Sequence, residues 1–138
     1  MYRFALAFLI AALPTQTLAN GVTYFCELKS DLHGWVPAEI LIEHSENGGA
    51  RVHDEIVDQF SGGPQDAVLK EDSAKKLVVS WVVPTRDGNG QLTKMRYRAA
   101  MLKSSGKVIM TAKPVGYRDH FSGRGACRAS DRHSIPAS

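Results

Sequence analysis

The stretch Leu77-Val78-Val79-Ser80-Trp81-Val82-Val83, stopped by Pro84, decides how this chain reads. It is the longest apolar run beyond the N-terminus, and its β-branched residues suit a pleated strand. Successive strand side chains point to opposite faces. Leu77, Val79, Trp81 and Val83 therefore share one face, and Val78, Ser80 and Val82 the other. Apolar residues on both faces predict a strand covered on both sides, with half-polar strands packed around it.

Downstream, Asp87-Gly88-Asn89-Gly90 supplies two strong hairpin signals. Leu92 to Leu102 is then the partner strand, with Met95, Tyr97, Ala99 and Met101 inward and Lys94, Arg96 and Arg98 outward. Ser104-Ser105-Gly106 turns the chain into a strand over Lys107 to Lys113, and Pro114 to His120 is a loop. Phe121 to Arg128 is the last strand. Its inward Gly123 and Gly125 predict the close approach of a neighbour.

Upstream, Val22 to Leu28 reads as the first strand, with Val22, Tyr24, Cys26 and Leu28 on one face. Val36 to His44 reads as the second, with Val36, Ala38, Ile40 and Ile42 toward the core and Glu39 and Glu43 toward water. Arg51 to Phe60 predicts a third strand, with a bulge or edge where Asp54 and Asp58 fall on one side. Gln65 to Lys76 fits a short helix or a strand through Ala67-Val68-Leu69. The strand is preferred because its neighbours are strands with short connections. The pattern predicts an all-β fold: a single-domain, small antiparallel β-barrel or β-sandwich of seven to eight strands.

Cys26 and Cys127 are the only cysteines and sit near the two ends of the domain. Tyr2 and Arg3 precede an uncharged run from Phe4 to Leu13, and Thr17-Leu18-Ala19 ends the segment in small residues. That is the pattern of a secretory signal peptide over residues 1–19, too short to span a bilayer. An exported chain meets an oxidising compartment, so the cysteines are expected to form one disulfide. Bonded, they place the first and last strands side by side or face to face, which favours a closed barrel over a sandwich. The expected organisation is a signal peptide at 1–19, one all-β domain at 20–128, and a loose polar tail at 129–138.

Charge divides the chain. Residues Asn20 to Asp72 hold three basic and eleven acidic residues, and Ser73 to Ser138 hold thirteen basic and three acidic ones. The halves either neutralise each other across strands or leave a basic face for an anionic partner. The candidate face is Lys94, Arg96 and Arg98 at strand spacing, with Arg124 and Arg128 on the last strand. Pairing with acidic strands such as Glu39 and Glu43 is the expected outcome.

Motifs for chemistry are weak. Asp87 to Thr93 has the look of the middle of a calcium loop, but the register puts Thr85 first and Arg96 last, where acidic ligands belong. His44 and His53 bracket one turn without the further ligands zinc needs. His120 beside Asp119 is half an acid–base pair without a nucleophile. Metal, cofactor, nucleic acid and enzymatic turnover are therefore not expected.

Tyr24-x-Cys26 near the start and Cys127 near the end give an outline similar to small periplasmic lysozyme inhibitors. That family's Ser-Gly-x-x-Tyr signature is not met, since Ser105-Gly106 is followed by Lys107, Val108 and Ile109. Gly34-Trp35 resembles the Gly-x-Trp of lipocalin-like barrels at a different spacing. The sequence leads to a monomeric, exported, periplasmic or secreted, non-enzymatic binding module of the cell envelope, with an unknown envelope protein or a small ligand as partner and no stable membrane insertion after signal cleavage. A periplasmic enzyme inhibitor is the alternative and a small hydrolase the third reading.

Overall fold

Period-two alternation along most of the chain gives eight strands, and each pairs with its sequence neighbours. The structure is a computed structural model that describes residues 21–30, 34–45, 48–130 and 135. Residues 1–19, read as a signal peptide, and most of the expected tail lie outside the described residues. The strands are β1 (Gly21–Ser30), β2 (Glu39–Ser45), β3 (Ala50–His53), β4 (Gln65–Asp72), β5 (Lys76–Arg86), β6 (Leu92–Leu102), β7 (Lys107–Pro114) and β8 (Phe121–Ala129). One helix, α1 (Glu55–Ser61), lies between β3 and β4. All pairings are antiparallel, and β1 pairs with β8 to close an up-and-down barrel.

The seam between β1 and β8 is where the cysteines meet. Cys26 stands directly opposite Cys127, and the two are joined by a disulfide. The Cys127 N–H bonds to Gly106 O on the other side of its strand. The pair therefore occupies a site without hydrogen bonds across the seam, where facing strands lie closer. The expected disulfide and barrel are both present. The inward glycines of β8 behave as predicted. A Cβ on Gly125 would lie 1.7 Å from Glu27 O, and one on Gly123 would lie 2.6 Å from Val36 Cγ1.

Eight strands enclose just enough room for side chains to fill the interior. Ile40, Ile42, Val52, Val79, Val83, Met95, Tyr97, Met110 and their neighbours do so, each almost fully buried. Trp81 stacks on Tyr97, with ring centroids 5.5 Å apart and planes 11° apart. Connections alternate between the two ends of such a barrel, so α1 shares one end with the β1–β2, β5–β6 and β7–β8 loops. The apolar Ile56 and Val57 of α1 join the core and plug that end. Trp35, in the β1–β2 connection, stacks on Phe60 at 6.3 Å, and its carbonyl accepts the Tyr97 hydroxyl at 2.9 Å.

Four expectations change. The third strand stops at His53, because Asp54 Oδ1 accepts from the N–H groups of Ile56 and Val57, both at 2.8 Å, and starts a helix. Gly62 ends that helix in the left-handed conformation, with φ of 77°. The β5 stretch is one stave of the barrel and not a strand covered on both sides. Its inner face is buried, but on the outer face Val82 is 40% exposed and only Val78 is fully covered. The second strand begins at Glu39 rather than at Val36, which leaves Ala38 outside it and exposed. Within the tail, Ile135 is buried. In the 65–76 segment, Gln65–Asp72 forms β4, with a bulge between Leu69 and Glu71, and a turn leads into β5 at Lys76.

Candidate functional site

In a barrel whose strands follow one another in sequence, two halves of the chain become two sides of the molecule. The sequence's charge division is therefore spatial. On the acidic side, Arg51 of β3 stands between Glu43 of β2 and Asp66 of β4, so unlike charges face one another. Glu27 of β1 nevertheless stands opposite Glu39 of β2, and like charges face one another on the basic side too. Arg96 of β6 stands opposite Lys113 of β7, and across the closing seam Arg124 stands opposite Lys29.

Lys94, Arg96 and Arg98 all point outward and are exposed, as their alternation predicts. The expected pairing with Glu39 and Glu43 does not occur. Those residues lie on β2, and β6 adjoins only β5 and β7. Among the described residues, no carboxylate lies within salt-bridge reach of the three cations. Their cross-strand neighbours are Pro84, Val82 and Ser80 on one side. Arg124 joins this wall across β7. Arg128 does not: its Nη1 lies 3.1 Å from Glu27 Oε1, and its guanidinium sits 4.8 Å above the Phe25 ring. Arg128 is a seam residue, and the open basic wall is Lys94, Arg96, Arg98, Lys113 and Arg124.

The histidines separate. His44 faces the end opposite α1, where its Nε2 is 3.0 Å from Asp72 Oδ2 but off a hydrogen-bonding line. The Lys103 ammonium also bonds Asp72 and holds that carboxyl below its ordinary value of 3.8. His53 points outward, 3.5 Å from Asp58 Oδ1. His120 and Asp119 are exposed in the β7–β8 loop. Asp87 serves its own turn, with Oδ1 accepting from the N–H groups of Asn89 and Gln91, both at 2.9 Å.

An open groove of about 480 Å³ lies between β2 and the start of α1, lined by Phe25, Ile40, His53, Asp54, Glu55 and Asp58 among others. The sequence reading missed it, because it depends on α1. The signal was present in Asp54 followed by Glu55, a capping residue with an acidic first turn. Asp54 is buried, and that burial raises its carboxyl above 3.8 against the pull of the two cap hydrogen bonds.

No known protein family matches the chain, nor does any curated protein or solved structure.

Proposed function

We propose that this chain is an exported, periplasmic, non-enzymatic binding module of the cell envelope that works through its outer surface. The observation that carries the reading is the pair of like charges facing one another on the basic side and at its closing seam, Arg96 against Lys113 and Arg124 of β8 against Lys29 of β1. Directly opposed like charges destabilise a sheet. A fold that keeps them with no carboxylate among the described residues within salt-bridge reach of Lys94, Arg96 or Arg98 gains from them elsewhere, and an anionic partner supplies that gain. The packed interior, with Trp81 on Tyr97 at its centre, argues against a ligand carried inside the barrel. The disulfide fits an oxidising compartment.

Retention on a heparin column tests this. Wild type is retained, and retention falls with salt because charges are screened over about 8 Å at physiological ionic strength. The K94Q/R96Q/R98Q variant elutes early while keeping its fold. Equal retention of the two proteins refutes the reading. The acidic groove favours a second one, inhibition of a cationic enzyme such as a lysozyme, since Asp54, Glu55 and Asp58 line a concave site. Stoichiometric inhibition in a lysozyme titration, lost in D58N, supports it.

A further inference from the structure

Apolar exposure divides along the same line as charge. Among the described residues, Val22 and Val68 are the only exposed large apolar side chains outside β5–β8. The others are Val82, Leu92, Leu102, Ile109, Val115 and Tyr117. Three of these gather at the α1 end of the barrel, Leu92 at the start of β6 and Val115 and Tyr117 in the β7–β8 loop. The Val115 N–H bonds to Lys94 O at 2.8 Å, extending the β6–β7 pairing beyond Met95 opposite Pro114. Strand parity from Lys94 places Leu92 on the same outer face. Leu92 is 66% exposed, Tyr117 53% and Val115 45%. Arg86 pairs with Leu92 in the β5–β6 ladder, and Lys113 and Arg118 flank Val115 and Tyr117, so that with Lys94 the cations outnumber the two carboxylates of these connections, Asp87 and Asp119.

Clustered apolar tips rimmed by cations suit neither a freely solvated rim nor a purely ionic one. A soluble polyanion uses the cations and leaves Leu92, Val115 and Tyr117 in water. An anionic bilayer uses both, because its headgroups take the charge and the headgroup–acyl boundary takes the apolar tips, with tyrosine at the interface. Resting on the binding role proposed above, we infer that the β5–β8 side docks on an anionic phospholipid surface, with Leu92, Val115 and Tyr117 seated at headgroup level and Lys94, Arg96 and Arg98 against the phosphates.

Co-flotation with phosphatidylcholine vesicles, with and without phosphatidylglycerol, tests this alongside heparin retention. Wild type floats only with the anionic vesicles. At about 1 kcal/mol per Lys or Arg near an anionic surface, K94Q/R96Q/R98Q partitions about a hundredfold more weakly, and it also leaves heparin early. The L92S/Y117S variant changes two exposed side chains. It is expected to melt like wild type, bind heparin like wild type and lose at least about tenfold in vesicle partitioning. Wild-type vesicle binding by L92S/Y117S overturns the inference in favour of a purely ionic partner. Wild type that binds heparin but not anionic vesicles also overturns it, and leaves the binding role standing. Wild type that binds neither removes both.

Discussion

Trp81 is 3% exposed, and among the described residues its Nε1 has no hydrogen-bond partner. It contributes by packing on Tyr97 rather than by a polar contact. Trp81→Ala is expected to lower stability by about 3–5 kcal/mol in denaturant unfolding. Trp81→Phe gives up no hydrogen bond and is expected to cost about 1–2 kcal/mol. Burial also raises the Tyr97 hydroxyl above its ordinary value of 10.0, with the Asp54 charge adding to the effect. Asp54 gives a pH signature. Because its folded value is raised, the native state holds this proton above pH 3.8 while the unfolded chain releases it. Stability therefore falls as pH rises from 3.8 through the raised value. Asparagine caps a helix as well as aspartate does. Asp54→Asn should keep α1 and remove that fall, measured as melting temperature against pH for both proteins. Asp72 has the opposite sign, since Lys103 holds it low. Its contribution is present above pH 3.8 and is lost as pH falls through its depressed value. Its exposure keeps that contribution small.

The β8 glycines set the closing seam at the scale of an element. A side chain at Gly125 meets the Glu27 backbone, which cannot move without breaking the β1–β8 ladder. Gly125→Ala is expected to cost about 3 kcal/mol or more, read as a lowered denaturation midpoint. Strand alternation made most elements legible in the sequence. Met95, Tyr97, Ala99 and Met101 face inward as read, and Leu92–Leu102 is β6 at the expected bounds. α1 was not legible by the same means. Val52, Ile56 and Phe60 lie at even spacings that fit a strand as well as a helix, and a seven-residue helix has too few turns to show its own period. Capping chemistry at Asp54 and the left-handed Gly62 were the stronger local signals. The acidic groove went unread for the same reason. The basic ladder was legible, but its partners were not. Composition shows that opposite charges exist, while only strand order shows that β2 and β6 are not neighbours in the sheet, so their outward side chains lie apart.

For the whole molecule, the unpaired ladder makes a clear expectation. K94Q/R96Q/R98Q loses no salt bridge among the described residues and relieves the repulsion between Arg96 and Lys113. Its unfolding free energy should stay within about 0.5 kcal/mol of wild type. A larger loss would mean that these cations are structural. The disulfide spans a sequence separation of 101. Cys127→Ala is expected to cost about 2–5 kcal/mol, and thiol alkylation of native protein should find no free cysteine. The strand order also implies a sequence of events. Every seam from β1–β2 to β7–β8 joins chain neighbours, and only the β1–β8 seam joins distant segments. Local hairpins close quickly, whereas contact between distant segments waits on loop-closure entropy. The barrel should therefore assemble as an open, curling sheet whose two free edges meet last. The sheet then delivers Cys26 to Cys127, so oxidation follows folding and locks it. Until that moment β1 and β8 are unpaired edges, able to add to the same edges of another unfinished chain. Crowded or slowly oxidised protein should yield strand-exchanged dimers joined through Cys26 and Cys127.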